Sequence, residues 1–226
     1  MENKSSKIHG MGSLSPNYYK KPDIQDKVFK IKESYEIDKV LEYDIDSKIL
    51  IYEDRVNGWF LNFAEELTKK DNSEFVVLMI CINYLEGNQQ FREGKSSLNN
   101  SSETLKRALK RIFPETEEET LDYLIDRVRH GLFHDGMTRR GALLRYGLSI
   151  PFFTFTMRDG EKWLEIDPSK FLEEVRKDFA FYIEILKNKE NKKERSSFEN
   201  HYNERYESPK ATHLTEREEV IKSPED

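Results

Sequence analysis

The chain has 226 residues, 36% hydrophobic and 35% charged, with a formal net charge of −6 and a mean hydropathy of −0.82. The negative balance excludes a global basic footprint for nucleic acid, so any such contact must come from a local patch. The length suits one sizeable domain with tails, and the single cysteine, Cys81, excludes an intrachain disulfide and fits a reducing compartment.

Residues 1–27 are polar, with Gly, Ser and Pro, and read as a disordered tail. They hold no apolar core of the kind a signal peptide needs. From 28 to 187 the chain reads as one helical domain. Residues 28–52 alternate short apolar and charged pieces, and "SKILIY" (Ser47 to Tyr52) reads as a strand. Val56, Trp59, Phe60, Phe63 and Leu67 recur at helical spacing, which predicts an amphipathic helix over 55–70. Asp71 or Ser73 can cap the next helix, about 73–88. That helix is apolar nearly all round and belongs at the centre of a bundle. Its run "FVVLMICI" (Phe75 to Ile82) is too short to span a bilayer. The expectation is a cytoplasmic protein with no membrane contact.

"GNQQFREGKSSLNNSS" is a loop by composition. Leu105, Ala108, Leu109, Ile112 and Phe113 mark a third helix, with Lys106, Arg107, Lys110 and Arg111 on its other face. Pro114 ends it. "TEEE" from Thr116 has the form of a capping box. The fourth helix carries Leu121, Leu124, Ile125, Val128 and Leu132 on one stripe, and Gly136 is its stop. The period then changes. "YGLSIPFFTFTM", the turn "RDG" and "KWLEI" read as a β-hairpin over 148–166. Asp167-Pro168 opens a last helix, with Phe171, Leu172, Val175, Phe179, Tyr182, Ile183 and Leu186 on its inner face. Residues 188–226 are charged, lack a periodic core, and read as a second disordered tail. His9, His201 and His213 fall in the two tails and are assigned no role.

The fourth helix ends in "DRVRHGLFHDG", Asp126 to Gly136, with two of the five histidines four apart. Opposite the leucine stripe lie Arg129, Phe133, Asp126, His130 and His134. Histidine both accepts and donates a proton near neutral pH. Arginine stays charged and offers a donor fork suited to phosphate. The helix C-terminus favours a protonated imidazole. Together these groups suit phosphodiester cleavage, where a proton leaves the attacking hydroxyl and charge builds on phosphorus. RNA supplies its own 2′-hydroxyl, so no metal or cofactor is called for. Arg129 and His134 are five apart, about 140° around an ideal α-helix, and so do not share a face. Phe133 on the polar side is an apolar anchor outside the core stripe, which suggests a second copy covering that face.

"RHGLFH", Arg129 to His134, resembles the signature of HEPN domains: an arginine, a polar residue, three variable positions and a histidine. The central apolar helix ending "NYLEG", then a loop, a short helix and the motif helix, resembles many members over about 54–190. The resemblance implies a mainly α fold, a HEPN-like helical bundle with an appended β-hairpin and C-terminal helix, dimerising through the motif helices. It implies a metal-independent endoribonuclease, as in toxin–antitoxin or antiviral defence systems, with RNA as substrate and an antitoxin or regulatory protein as partner. Arg129 and His134 would be the catalytic pair, with His130 assisting at the position often held by Asn or Asp. Other members of the family bind nucleotides, RNA or partners without cutting.

Each of these residues also has a plainer reading. The cations satisfy a helix dipole without any further role. His130 and His134 have the spacing of a metal pair but no third ligand in register. Asp126 orients His130 or is an ordinary helix pair. Arg139, Arg140 and Arg145 track an RNA backbone or form a solvated charged loop. Asn83 and Glu86 reach the motif from the neighbouring helix or face solvent. Trp59 reads as core.

Overall fold

The computed structural model describes residues 12–21, 23–32, 37–98 and 100–207. The fold is mainly helical, with two small sheets. The first sheet is an antiparallel meander of β1 (Gly12–Ser13), β2 (Tyr18–Lys21), β3 (Ile24–Ile31) and β4 (Ile37–Glu42), in that order. Its first two strands and the start of β3 lie within 1–27, the segment expected to be disordered. What holds it is α1 (Ile45–Val56): Asp54 accepts hydrogen bonds from Ser15 Oγ (2.6 Å), Asn17 N (2.8 Å) and Asn17 Nδ2 (2.7 Å). Tyr18 and Val28 bury against Ile51 in a small core of their own. The described part of residues 1–27 is therefore folded, because its polar side chains find partners on a helix rather than in water. Residues 1–11 lie outside the described residues.

"SKILIY" is helix, not strand. Asp44 and Ser47 form a reciprocal capping box, and both sides of the helix are buried: Ile49, Tyr52 and Val56 in the main core, Ile51 under the sheet. A helix buried on two sides shows a strand-like apolar run, and period alone does not separate the two.

A π-helical turn follows, Asn57–Leu61, and then α2 (Asn62–Leu67). Bonding from i to i+5 takes an extra residue into the turn and rotates everything after it. The stripe expected over 55–70 is rotated with it. Leu61 and Ala64 are buried, while Trp59, Phe60 and Phe63 are exposed.

The central helix is α3 (Glu74–Glu93), packed on α2, α4, α6, α7 and the motif helix. It runs a turn and more past the expected end, to Gly94 in the left-handed region (φ 69°). "NQQF" read as loop because it is polar, yet Asn88, Gln89 and Gln90 are buried. Asn88 bonds Tyr52 and Arg92, Gln89 bonds Glu93 and Arg111, and Gln90 accepts from Ser97 and Arg205. Satisfied amides can enter a core.

Next come α4 (Ser101–Ile112) and α5 (Glu118–Tyr123). The N-cap of α5 is Glu117, without a side-chain cap bond, so the "TEEE" capping box does not form. The second sheet contains the expected hairpin, β6 (Phe152–Thr156) and β7 (Lys162–Ile166), with Phe152 opposite Ile166. The sequence reading missed a third strand, β5 (Ala142–Leu144), parallel to β7. Asp167 caps α6 (Pro168–Lys187) as expected: its Oδ1 accepts from Ser169 N and Lys170 N, and its Oδ2 from Gly147 N and Leu148 N.

The chain after 188 is not a disordered tail throughout. Lys192–Tyr206 forms α7, burying Arg195, Phe198, His201 and Tyr202. Phe198 meets the rings of Tyr52 and Phe91. Arg195 donates to Asp46 (2.6 Å) and to the Leu186 carbonyl. Burying two aromatics this fully contributes roughly 1.5–3 kcal/mol apiece, which anchors an otherwise charged helix. Residues 208–226 lie outside the described residues. No helix among the described residues is long and apolar enough to cross a membrane.

Candidate active site on the motif helix

The stretch Leu124–Asp135 continues α5 but is wound as a π-helix, ending at Gly136 in the left-handed region (φ 72°). Leu124, Ile125, Val128 and Leu132 face the core as expected. Gly131 is buried with them for a different reason. A Cβ built there would lie 2.5 Å from the Met137 carbonyl oxygen and 2.9 Å from Arg139 N. The chain turns at Gly136 and comes back alongside the helix, bonded from Arg139 N to the Arg127 carbonyl (2.8 Å). The glycine in "RHGLFH" is thus the place where the returning strand touches the helix backbone.

That return brings Arg139 onto the motif. Its guanidinium donates to Asp126 Oδ1 (2.9 Å) and Asp135 Oδ2 (3.1 Å). Asp126 is then only a distant partner of His130, at 3.9 Å from Nδ1. The nearer polar partner of His130 is Ser102 Oγ, 3.3 Å from Nε2. The His130 and His134 rings lie 5.9 Å apart by centroid. Burial, together with the charges of Arg129 and Arg139, holds the His130 pKa below its ordinary value. His130 is consequently a proton acceptor at neutral pH.

Arg129 points to the neighbouring helices. Its Nη2 donates to Ser101 Oγ (2.7 Å) and lies 3.6 Å from Glu86 Oε2, and its guanidinium sits 6.0 Å over the Phe133 ring. In a π-helix positions five apart come closer to stacking than in an α-helix. The 140° objection to Arg129 and His134 is thereby weakened. Even so, the side chains diverge: Arg129 leans on α3 and α4, and His134 meets His130 at an exposed helix end.

Two residues absent from the sequence reading join these groups. Ser101 and Ser102, successive in the first turn of α4, hold Arg129 and His130 respectively. Asn100 makes no side-chain cap to that turn, so its first N–H groups lack a side-chain cap partner. The signal was present in "NNSSE", an N-cap cluster ahead of an apolar-periodic run. Its polar composition reads as loop.

The remaining expected residues divide. Glu86 reaches the site, accepting also from Ser97 Oγ (3.1 Å). Asn83 is exposed and lines a cleft of about 250 Å³ with Tyr52, Phe60 and Tyr206. Arg140 pairs with Glu161 (2.8 Å) and Arg145 with Glu165 (2.5 Å), both on the second sheet. Phe133 is 44% exposed, as its position outside the stripe implied. Among the described residues no group of three or more His, Cys, Asp or Glu is placed to hold a metal ion.

No family model, curated protein or solved structure matches the chain.

Proposed function

We propose that this protein is a metal-independent endoribonuclease of the HEPN type, acting as a toxin or defence effector on RNA in the cytoplasm. The observation that carries the reading is a guanidinium and a depressed-pKa imidazole, Arg129 and His130, held on successive serines in the first turn of α4, with the His134 ring 5.9 Å from that of His130. In this reaction neutral His130 or His134 takes the proton from a 2′-hydroxyl. The oxygen attacks phosphorus, and the P–O5′ bond breaks. A protonated imidazole returns a proton to the 5′-oxygen, leaving a 2′,3′-cyclic phosphate and a 5′-hydroxyl. Arg129, released from Ser101, neutralises charge on the phosphorane. One copy offers two imidazoles and one guanidinium. Exposed Phe133 supports a partner copy that doubles the set at a composite site. Arg139 is near enough to contact substrate. Arg139 holds its two carboxylates on the motif helix itself, whereas Arg140 and Arg145 hold theirs on the β-hairpin and contribute less.

The test is cleavage of a fluorogenic RNA in excess chelator, with end-group analysis of the products. Cleavage to cyclic phosphate, lost in His134→Ala and Arg129→Ala, is the expected result. Cleavage that needs added metal, or that survives His134→Ala, sinks the proposal. One observation favours a second reading: Arg129 is already engaged by Ser101 and Glu86. A non-catalytic HEPN-like module that binds RNA, a nucleotide or a regulatory partner would show dimerisation without cleavage.

A further inference from the structure

Two cavities outside the motif form one groove. The larger, about 870 Å³, runs from Ser13 and Lys20 on the first sheet past Trp59 and Tyr206. The smaller, about 250 Å³, continues along α3 to Glu86. They share Arg55, Phe60 and Tyr206. Glu86 in turn lies 3.6 Å from Arg129. The groove therefore ends within one ion pair of the motif helix.

Its walls are unusual for this chain in two respects. Trp59 and Tyr206 are 43% and 47% exposed, and Phe60 stands beside them. The π-helical turn at 57–61 is what faces Trp59 and Phe60 outward. The cations also differ from those near the motif. Arg139, Arg140 and Arg145 each hold a carboxylate. Lys20 and Arg55 hold no carboxylate at ion-pair distance among the described residues, although Lys20 feels the charge of Glu207 and Arg55 Nε donates to the Leu14 carbonyl (2.8 Å). Lys20 lies 3.7 Å over the Tyr43 ring, and Arg55 lies 4.3 Å over the Tyr206 ring. Of the two carboxylates lining the groove, Glu207 lies 3.4 Å from Lys48 and Glu86 lies 3.6 Å from Arg129. Exposed rings interleaved with cations that no carboxylate holds at ion-pair distance are what single-stranded nucleic acid requires: faces for its bases and charge for its backbone.

We infer that this groove binds single-stranded RNA, stacking bases on Trp59, Phe60 and Tyr206 and holding phosphates with Lys20 and Arg55. The inference rests on the ribonuclease reading only in supplying that enzyme's substrate with a path to Arg129; binding itself is independent of cleavage.

The experiment is fluorescence anisotropy of a labelled oligouridine of ten nucleotides with the full-length chain, alongside quenching of tryptophan emission. Binding should weaken about tenfold or more in Trp59→Ala and recover in Trp59→Phe, which keeps a stacking face. Lys20→Gln and Arg55→Gln should each reduce the dependence of log Kd on log salt by about one. Thermal melts of each variant identify any loss that is only unfolding, and the Trp59→Phe rescue remains decisive if Trp59→Ala does not fold. No binding by the full chain, or binding unmoved by all three substitutions, overturns the inference. So does a Trp59→Ala defect confined to self-association in sedimentation, since the groove would then hold a second copy. Stacking-dependent binding without any cleavage upholds the groove and sinks the ribonuclease reading; cleavage with unaltered binding in Trp59→Ala does the reverse.

Discussion

Replacing Gly131 by alanine sets two effects of opposite sign against each other. In a helix interior Ala is favoured over Gly by about 1 kcal/mol. Against that, the new Cβ would sit 2.5 Å from the Met137 carbonyl oxygen and 2.9 Å from Arg139 N. Both are backbone atoms, which cannot swing aside as a side chain would. The returning segment must retreat by about 0.9 Å to bring the nearer atom, now 2.5 Å away, to ordinary contact at 3.4 Å. That retreat strains the bond from Arg139 N to the Arg127 carbonyl, worth about 1 kcal/mol, and overpacking adds about 1–3 kcal/mol. The clash should win by about 1–3 kcal/mol. Gly87, inside α3, is the matched control, since a Cβ there meets nothing within 4 Å. Gly87→Ala should therefore stabilise by about 0.5–1 kcal/mol. Urea melts of both variants read the contrast directly. If Gly131→Ala is as stable as Gly87→Ala, the segment 137–139 does not press on the motif helix, and the placement of Arg139 loses its cause.

Asp178 accepts from both Arg92 and Arg111 in a largely buried cluster; Asp178→Ala should cost about 3–5 kcal/mol in chemical denaturation, because two guanidinium groups lose their counter-charge. The pKa of buried His201 is held below its ordinary value by burial and by Arg205. The unfolded chain then binds more protons as pH falls through about 6.5, so stability should drop from pH 7 toward 5, and the drop should be smaller in His201→Leu. Asp54→Ala removes three hydrogen bonds to Ser15 and Asn17; amide exchange at Tyr18 and Tyr19 should accelerate while that of α3 stays unchanged, and equal acceleration everywhere would show that the first sheet is not an independent unit.

Apart from the central α3, legible because it is apolar nearly all round, the helices read correctly from the sequence were those with one buried face. The stripe of Leu124, Val128 and Leu132 and the cap at Asp167 follow directly from periodicity and from side-chain capping chemistry. The failures share physical causes. α1 is buried on two sides and so mimics a strand. The stretch at Asn88 to Gln90 is polar but satisfied inside the core. In α7, Phe198, His201 and Tyr202 repeat at helical spacing, but the surrounding charge hides them. At the candidate site Arg129, His130 and His134 stood out by residue type alone. The serines that hold two of them did not, because a hydroxyl acquires a role only through the helix end that presents it. Phe63 and Trp59 were assigned to the core because an α-helical wheel puts them on the stripe with Val56, and a single residue of π-winding is enough to undo that.

The two π-wound segments have a common construction. At 57–61 the extra residue turns Trp59 and Phe60 outward, and Gly58 admits the Pro16 ring, to which a Cβ would come within 2.5 Å. At 124–135 the same winding narrows the angle between Arg129 and His134 along the helix, although their side chains diverge, and Gly131 admits the backbone of 137–139. In each case a chain segment crosses the helix at a glycine and is pinned by a carboxylate on that helix or its continuation: Asp54 for Ser15 and Asn17, Asp126 and Asp135 for Arg139. π-winding gives up regular α-helical bonding and persists where the surroundings demand it. Here the crossing segments supply the demand. The re-aimed side chains, aromatic at one segment and ionisable at the other, stand along the groove at Trp59 and Phe60 and, through Glu86, beyond its far end at Arg129. Loosening either crossing should let its helix relax toward α-winding and turn those side chains away, so that Asp54→Ala would weaken oligouridine binding without touching a groove residue.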